Sequence, residues 1–320
     1  MTFAGSPSRM EAQLVPEAGY AFDPFAVSGL PRRPGLPLLR ALALAARAPR
    51  ACRGILRRRR PHAVLGGGGY VAGPMVYAAA RSGLPTALME ADSHLGLANR
   101  LAAPFAHRVF LSFPIDGLGP PKYRVTGRPI PIRSTAIAQV EARRVFELPA
   151  RGPVLLVFGG SQGSRSLNEL AVSAFGDDGP SVLHLCGARD YEALRPRVTR
   201  SNYRLVPFTE RVGAAYSAAD LVLARAGGSV WELAAAGRPA LLVPYPAATA
   251  DHQTKNARFF ERGGGAVVVP ESRLAEVPAL VRSLLRDVAR REKMRKAMLE
   301  LARPDAAEEI AEELVALARG

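Results

Sequence analysis

Short apolar runs recur along the chain, at 62–66, 86–90, 108–113, 153–159, 181–187, 203–208, 220–225, 239–245 and 266–270. Unbroken apolar character over so few residues predicts strands covered on both faces. Between most of them lie segments of helical length, among them 164–175 and 251–262. The closing stretch 304–319 opens with Pro304 and Asp305 and keeps apolar positions at helical spacing. Strand and helix in alternation predict an α/β protein with parallel sheets covered by helices on both faces. No internal repeat interrupts this order.

Pro and Gly crowd residues 117–134 before a new helix begins, which marks a domain boundary near residue 130. Two Rossmann-like domains, 1–130 and 131–303, then face a cleft. The length of 320 residues agrees, because single cores stop growing at roughly 250–300 residues.

A composition of 48% hydrophobic and 22% charged residues excludes a disordered chain. The net charge of +15 gives a field that attracts phosphates, nucleic acid or anionic lipid, unless it is only a general Arg-rich bias. The two cysteines, Cys52 and Cys186, have neither metal nor disulfide spacing, which predicts a reducing compartment and no zinc. The start MTFAGSPSRMEAQ has no signal-peptide pattern, and no apolar run approaches the ~18 residues of a spanning helix. A cytoplasmic protein, able to lie on a membrane, is expected.

Three glycine breaks fall where a strand hands over to a helix. In VLLVFGGSQGSRSLNEL the turn holds Ser161, Gln162 and Gly163; in LGGGGYVAGP it holds Gly67, Gly68, Gly69 and Tyr70; in RAGGSVWELAAAG it holds Gly227, Gly228 and Ser229. Open α/β sheets bind ligands at such places, where glycines admit a ligand to the backbone and N–H groups stand unpaired. Phosphate is the natural occupant, although Ser161 as a simple helix cap explains the first break equally well. None of the three is a GxGxxG or Walker loop. Glu232 falls in the first turn after the third break, where a carboxylate can accept from a ligand's hydroxyl pair or cap the helix. In DHQTKNA, Gln253 and Asn256 share a helical face, as a sugar-binding pair or again as caps.

Taken in order, GGGGYVAGP, GLANRLAAPFA, FGGSQGSRSLN, RAGGSVWELAAAGRPALLVPYP and DHQTKNA resemble the MurG family, and the resemblance runs from about residue 2 to the end. It implies a GT-B architecture, with the last helix, 304–320, packing back on the first domain. It implies an inverting transfer of N-acetylglucosamine from UDP-N-acetylglucosamine to undecaprenyl-diphosphoryl-N-acetylmuramoyl-pentapeptide (lipid I), without metal or cofactor. No Asp-x-Asp motif is present. By motif match Ser161, Gln162, Gly163 and Gly227 to Ser229 face the diphosphate, Phe208 and Thr209 the uracil, Glu232 the ribose, and Gln253 with Asn256 the sugar. Gly67, Gly68, Gly69, Tyr70 and Asn99 belong to the acceptor diphosphate.

The chain departs from the family pattern in three places. A βα unit with a GGTGGH loop, usual ahead of the first matched strand, is absent from this sequence, so donor binding with weak transfer is expected. Met89, Glu90, Ala91 and Asp92 stand for HEQN, and GRPIP stands for GNPVR, with Pro131 at the arginine position. Asp92 and Arg133 are the replacements expected at the donor. Glu90 and His94 are the candidate bases.

The segment 36–60 combines Leu38, Leu39, Leu42 and Leu44 with Arg40, Arg47, Arg50, Arg53 and Arg57 to Arg60, the composition of an interfacial helix that Pro49 kinks or divides. It reads either as an ordinary domain helix or as a contact with anionic inner-leaflet lipids, at the cytoplasmic face of the plasma membrane. Cell-wall synthesis proteins are further candidate partners; nucleic acid is not. Two other classes stay open, a different GT-B glycolipid synthase and a noncatalytic UDP-sugar-binding protein.

Overall fold

The structure, a computed structural model, describes residues 1–29 and 35–319, with all side chains in them except those of Pro37, Leu38 and Arg133. The contributions expected from the side chains of Leu38 and Arg133 lie outside the described residues. The chain divides into two compact units, one of Met1–Thr126 with the segment from Glu308 on, the other of Gly127–Ala307.

The first unit contains β1 (Thr2–Gly5), α1 (Glu11–Glu17), β2 (Ala21–Pro24), α2 (Leu36–Arg59), β3 (Val64–Gly66), α3 (Gly69–Ala80), β4 (Thr86–Glu90), α4 (Leu97–Ala102), β5 (Arg108–Leu111) and β6 (Tyr123–Val125). Its strands pair in parallel as β1-β2 and as β3-β4-β5-β6. β2 and β6 are short and half exposed, so neither leaves an apolar run in the sequence. β6 also corrects the reading of 117–134 as connection alone.

α2 is a single helix across Pro49, so of the expected kink or division the division does not occur. An interior proline costs about 3 kcal/mol. Ala48, Cys52, Ile55 and Leu56 are buried with Met75, Ala78 and Ala79 of α3, and each large side chain so buried contributes roughly 1.5–3 kcal/mol. Packing therefore outweighs the break. The end of α2 is fastened to β2, where Asp23 Oδ2 accepts from Arg59 Nε at 2.7 Å and Oδ1 from Arg58 at 3.4 Å. The hydrogen bond from Arg59 holds the Asp23 carboxyl below its usual range.

The second unit contains α5 (Gln139–Val145), β7 (Val154–Phe158), α6 (Arg165–Phe175), β8 (Ser181–Leu185), α7 (Ala188–Leu194), β9 (Tyr203–Val206), α8 (Val212–Ala218), β10 (Leu221–Ala224), α9 (Val230–Ala235), β11 (Ala240–Leu242), α10 (His252–Arg262), β12 (Ala266–Val268), α11 (Val277–Arg286) and α12 (Val288–Leu301). Its strands form one parallel sheet in the order β12-β11-β10-β7-β8-β9. β7 and β10 are buried at every position, as central strands of a doubly covered sheet must be. On one face Leu167, Ala171, Val172 and Phe175 of α6 follow a helical period and pack with Leu155 and Val157. The last helix, α13 (Ala306–Arg319), returns Ile310 and Leu314 to Ala87 and Phe110 of the first unit, and Glu313 bridges Arg108 and Arg124.

Candidate active site

The sheet order of the second unit fixes where a ligand can bind. Connections from β7 run one way to β8 and β9, while β10, β11 and β12 lie on the other side. The switch point is therefore the pair β7-β10, and a doubly wound sheet binds its ligand outside the carboxyl ends of that pair. Two of the three glycine breaks follow these two strands, 159–163 after β7 and 227–229 after β10. Among the described residues the N–H groups of Gly160, Ser161, Gln162, Gly227, Gly228 and Ser229 donate to no acceptor. Unpaired donors around one crevice are what an anion requires.

Ser161 is not the cap of α6, a possibility the sequence left open: the N-cap position is Ser164. Gly163 has φ +72, and a Cβ there would run into the carbonyl of Cys186. The loop thus rests directly on the strand end beside it. Asn168 of α6 holds that strand end, its Nδ2 donating to Cys186 O at 2.8 Å and to Asp190 Oδ2 at 2.9 Å. Because the Asn168 amide nitrogen is a donor here, its Oδ1 accepts from His184 Nε2 at 3.0 Å, and His184 Nδ1 accepts from the Tyr203 hydroxyl at 2.8 Å. Burial pushes the His184 imidazole down to about 3, so it is neutral. His184 is structural, as its place in a strand suggests.

Arg225, only 7% exposed, joins three loops at the same end of the sheet. Its guanidinium donates to Ser164 Oγ at 3.0 Å and Ser166 Oγ at 2.7 Å, to the carbonyls of Val243 and Pro244, and to Glu271 Oε2 at 2.5 Å. Burial works to raise the Glu271 carboxyl, but hydrogen bonds from Arg225 and Ser166 leave it below its usual range. Glu232 Oε2 accepts from Ser134 Oγ at 2.6 Å and from the Tyr216 hydroxyl at 3.1 Å. Its carboxylate is held by side chains and does not cap α9.

The remaining donor candidates are placed as follows. Phe208 is 62% exposed just beyond β9, and Thr209 Oγ1 accepts from Arg211 N. Gln253 Oε1 accepts from Tyr245 N at 2.9 Å. Asn256 is fully buried and donates to Ala226 O, so its visible partner is the chain beside the 227–229 turn.

In the first unit, Gly67, Gly68, Gly69, Met89, Glu90, Asp92, His94 and Asn99 line one cavity of about 310 Å³ beyond the carboxyl ends of β3 and β4. Asp92, expected at the donor, lines the same cavity as Gly67, Gly68 and Gly69, the glycines expected at the acceptor. Tyr70 stands outside the cavity lining, its hydroxyl accepting from Arg9 Nε at 3.0 Å. Glu90 accepts from Asp92 N at 3.2 Å, Gly96 N at 2.9 Å and Asn99 Nδ2 at 2.8 Å. Both its oxygens are engaged in shaping the loop.

Reading single motifs missed Arg225, Asn168, Ser134 and Tyr216. The first two lie inside stretches already singled out, RAGGS and SRSLN, but only the sheet shows what they hold.

Residues 2–111 match the glycosyltransferase family 28 N-terminal domain, and residues 154–310 match its C-terminal domain. The chain is 40% identical, over 98% of its length and 88% of the relative's, to a UDP-N-acetylglucosamine–N-acetylmuramyl-(pentapeptide) pyrophosphoryl-undecaprenol N-acetylglucosamine transferase of Nitratidesulfovibrio vulgaris. An enzyme of the same name from Rubrobacter xylanophilus is 38% identical, over 100% of this chain and 96% of its own. The crystal structure of Acinetobacter baumannii MurG superimposes with a TM-score of 0.74 at 26% identity, covering 98% of this chain and 90% of that one.

Proposed function

The chain belongs to the MurG family within glycosyltransferase family 28, and on that premise we propose that it transfers N-acetylglucosamine from UDP-N-acetylglucosamine to undecaprenyl-diphosphoryl-N-acetylmuramoyl-pentapeptide, forming lipid II for peptidoglycan. The observation that carries the donor half is the pair of glycine turns at the β7-β10 switch point, with six backbone N–H groups unpaired among the described residues. The diphosphate occupies that crevice, Glu232 receives the ribose hydroxyls, and Gln253 and Asn256 hold the 243–251 and 225–229 segments that border the sugar. Phe208 and Thr209 border the uracil. The acceptor diphosphate lies against Gly67 to Gly69.

In the reaction the acceptor's 4-hydroxyl oxygen bonds to the anomeric carbon as the bond from that carbon to the UDP oxygen breaks, with inversion. The electron pair leaves with the diphosphate, where preorganised N–H donors stabilise it; losing one donor of this kind costs ~10²–10³ in rate. We assign the hydroxyl proton to His94, an imidazole lining the cavity, ahead of Glu90, which already accepts from three N–H donors. Glu90 positions the loop.

Among the described residues no helix is long and apolar enough to cross a membrane. The reading extends to a peripheral position at the cytoplasmic membrane face through α2, which leaves Leu36, Leu39 and Leu42 exposed beside Arg40 and Arg47. Of the Arg57 to Arg60 cluster, Arg58 and Arg59 are engaged by Asp23.

The test is UDP release and product mass with UDP-N-acetylglucosamine and either a lipid I analogue or diacylglycerol. Turnover with the lipid I analogue alone is the expected result. Turnover with diacylglycerol alone would reject the acceptor, and failure to bind any UDP-sugar would reject the donor site.

A further inference from the structure

The segment Gly127-Arg128-Pro129-Ile130-Pro131 carries no arginine at its fifth position, where Pro131 is exposed. Three residues earlier, Arg128 is half-buried and its guanidinium lies against Gly228, in the middle of the turn after β10. Gly228 does not have a positive φ, so its backbone would accept a side chain. A Cβ would instead strike the Arg128 guanidinium. The missing Cβ leaves the space that the guanidinium fills. Beside it, a Cβ on Gly227 would meet nothing within 4 Å, so open space adjoins the cation.

Arg128 forms no ion pair or hydrogen bond among the described residues. Glu232, in the helix that follows Gly228, is bonded to Ser134 and Tyr216. Gly127, with φ +81 and packed on the Arg303 side chain, and Pro129 fix the backbone on either side. A half-buried guanidinium without a counter-charge is costly, and its planar fork matches phosphate oxygens in pairs. From this placement we infer that Arg128 is a nucleoside-diphosphate-binding residue, the cation that meets the donor's diphosphate and the charge developing on it as the sugar leaves. The inference rests on the donor-site reading above and names a residue that reading does not use.

Calorimetry with UDP and with uridine, on the full chain and on Arg128→Met and Arg128→Lys, decides it, with thermal unfolding as the check that each variant is folded. The full chain should bind UDP more tightly than uridine. Arg128→Met should lower UDP affinity roughly 10- to 100-fold and leave uridine unchanged, with Arg128→Lys between them. Gly228→Ala, which displaces the guanidinium without removing it, should repeat the loss. If Arg128→Met and Arg128→Lys keep the full UDP-over-uridine preference, Arg128 does not touch the diphosphate and the inference falls while the donor site stands. If the unaltered chain binds neither ligand, the donor-site reading falls, and the inference with it.

Discussion

Ser134 Oγ donates to Glu232 Oε2 at 2.6 Å across a sequence separation of 98 residues. The linker into the second unit thereby orients the carboxylate assigned to the ribose. Glu232→Ala should weaken UDP binding by roughly 10- to 100-fold, the range for losing a hydrogen bond to a charged group. Ser134→Ala should weaken it less, because the Tyr216 hydroxyl still holds the same oxygen at 3.1 Å. Titration calorimetry would show the order; a larger effect from Ser134→Ala would mean that Glu232 does not touch the ligand.

Arg225→Met strips a buried cation from five acceptors and leaves Glu271 without its partner. Breaking a buried pair from one side costs about 3–5 kcal/mol, so denaturant melts should show a loss of that order. Glu271→Gln, which removes the charge and keeps the shape, should cost less. Equal, small losses would place Arg225 outside the stabilising framework.

Gly163→Ala introduces a Cβ at φ +72 and directs it at the Cys186 carbonyl. Strain alone in that backbone region costs about 1–3 kcal/mol. The variant should both melt earlier and bind UDP more weakly, since the loop cannot rest on the strand end. Unchanged UDP affinity in the folded variant would separate this loop from the ligand.

His184 should make stability depend on pH in one direction. Its folded value is about 3 against 6.5 unfolded, so the unfolded chain binds the extra proton. The contribution is complete above pH 6.5 and is lost as pH falls towards 3. The slope is positive throughout that window, and the total is of the order of several kcal/mol. His184→Gln should be less stable near neutrality yet flatter from pH 6.5 downwards, when urea midpoints are compared. Parallel curves for the two proteins would refute the assignment.

Vesicle co-sedimentation probes α2. Replacing Leu36, Leu39 and Leu42 by Ser should reduce binding to anionic vesicles without altering the melt, because all three are exposed. Neutralising Arg40 and Arg47 should reduce it further at low salt, by about 1 kcal/mol per charge. Neutralising Arg58 and Arg59 should also destabilise the fold, since both hold Asp23. Equal binding to neutral vesicles would remove the electrostatic part.

The sequence by itself determined the elements whose signal is local. Val154–Phe158 and Leu221–Ala224 are buried on both faces and read as apolar runs, and the glycine turns after them were visible because a strand stops and a helix starts there. Pairing of neighbours within a motif, such as Gln253 and Asn256 on one helical face, was visible for the same reason. Tertiary structure alone decided what those residues meet. Strand order brought 159–163 and 227–229, far apart in the chain, to one switch point, and it turned Asn256 towards the Ala226 carbonyl. It carried α2 unbroken through Pro49, because burial against α3 exceeds the proline penalty. It also laid the Arg128 guanidinium against Gly228, because a side chain is placed by the room a distant glycine leaves, and no spacing along the chain records that room.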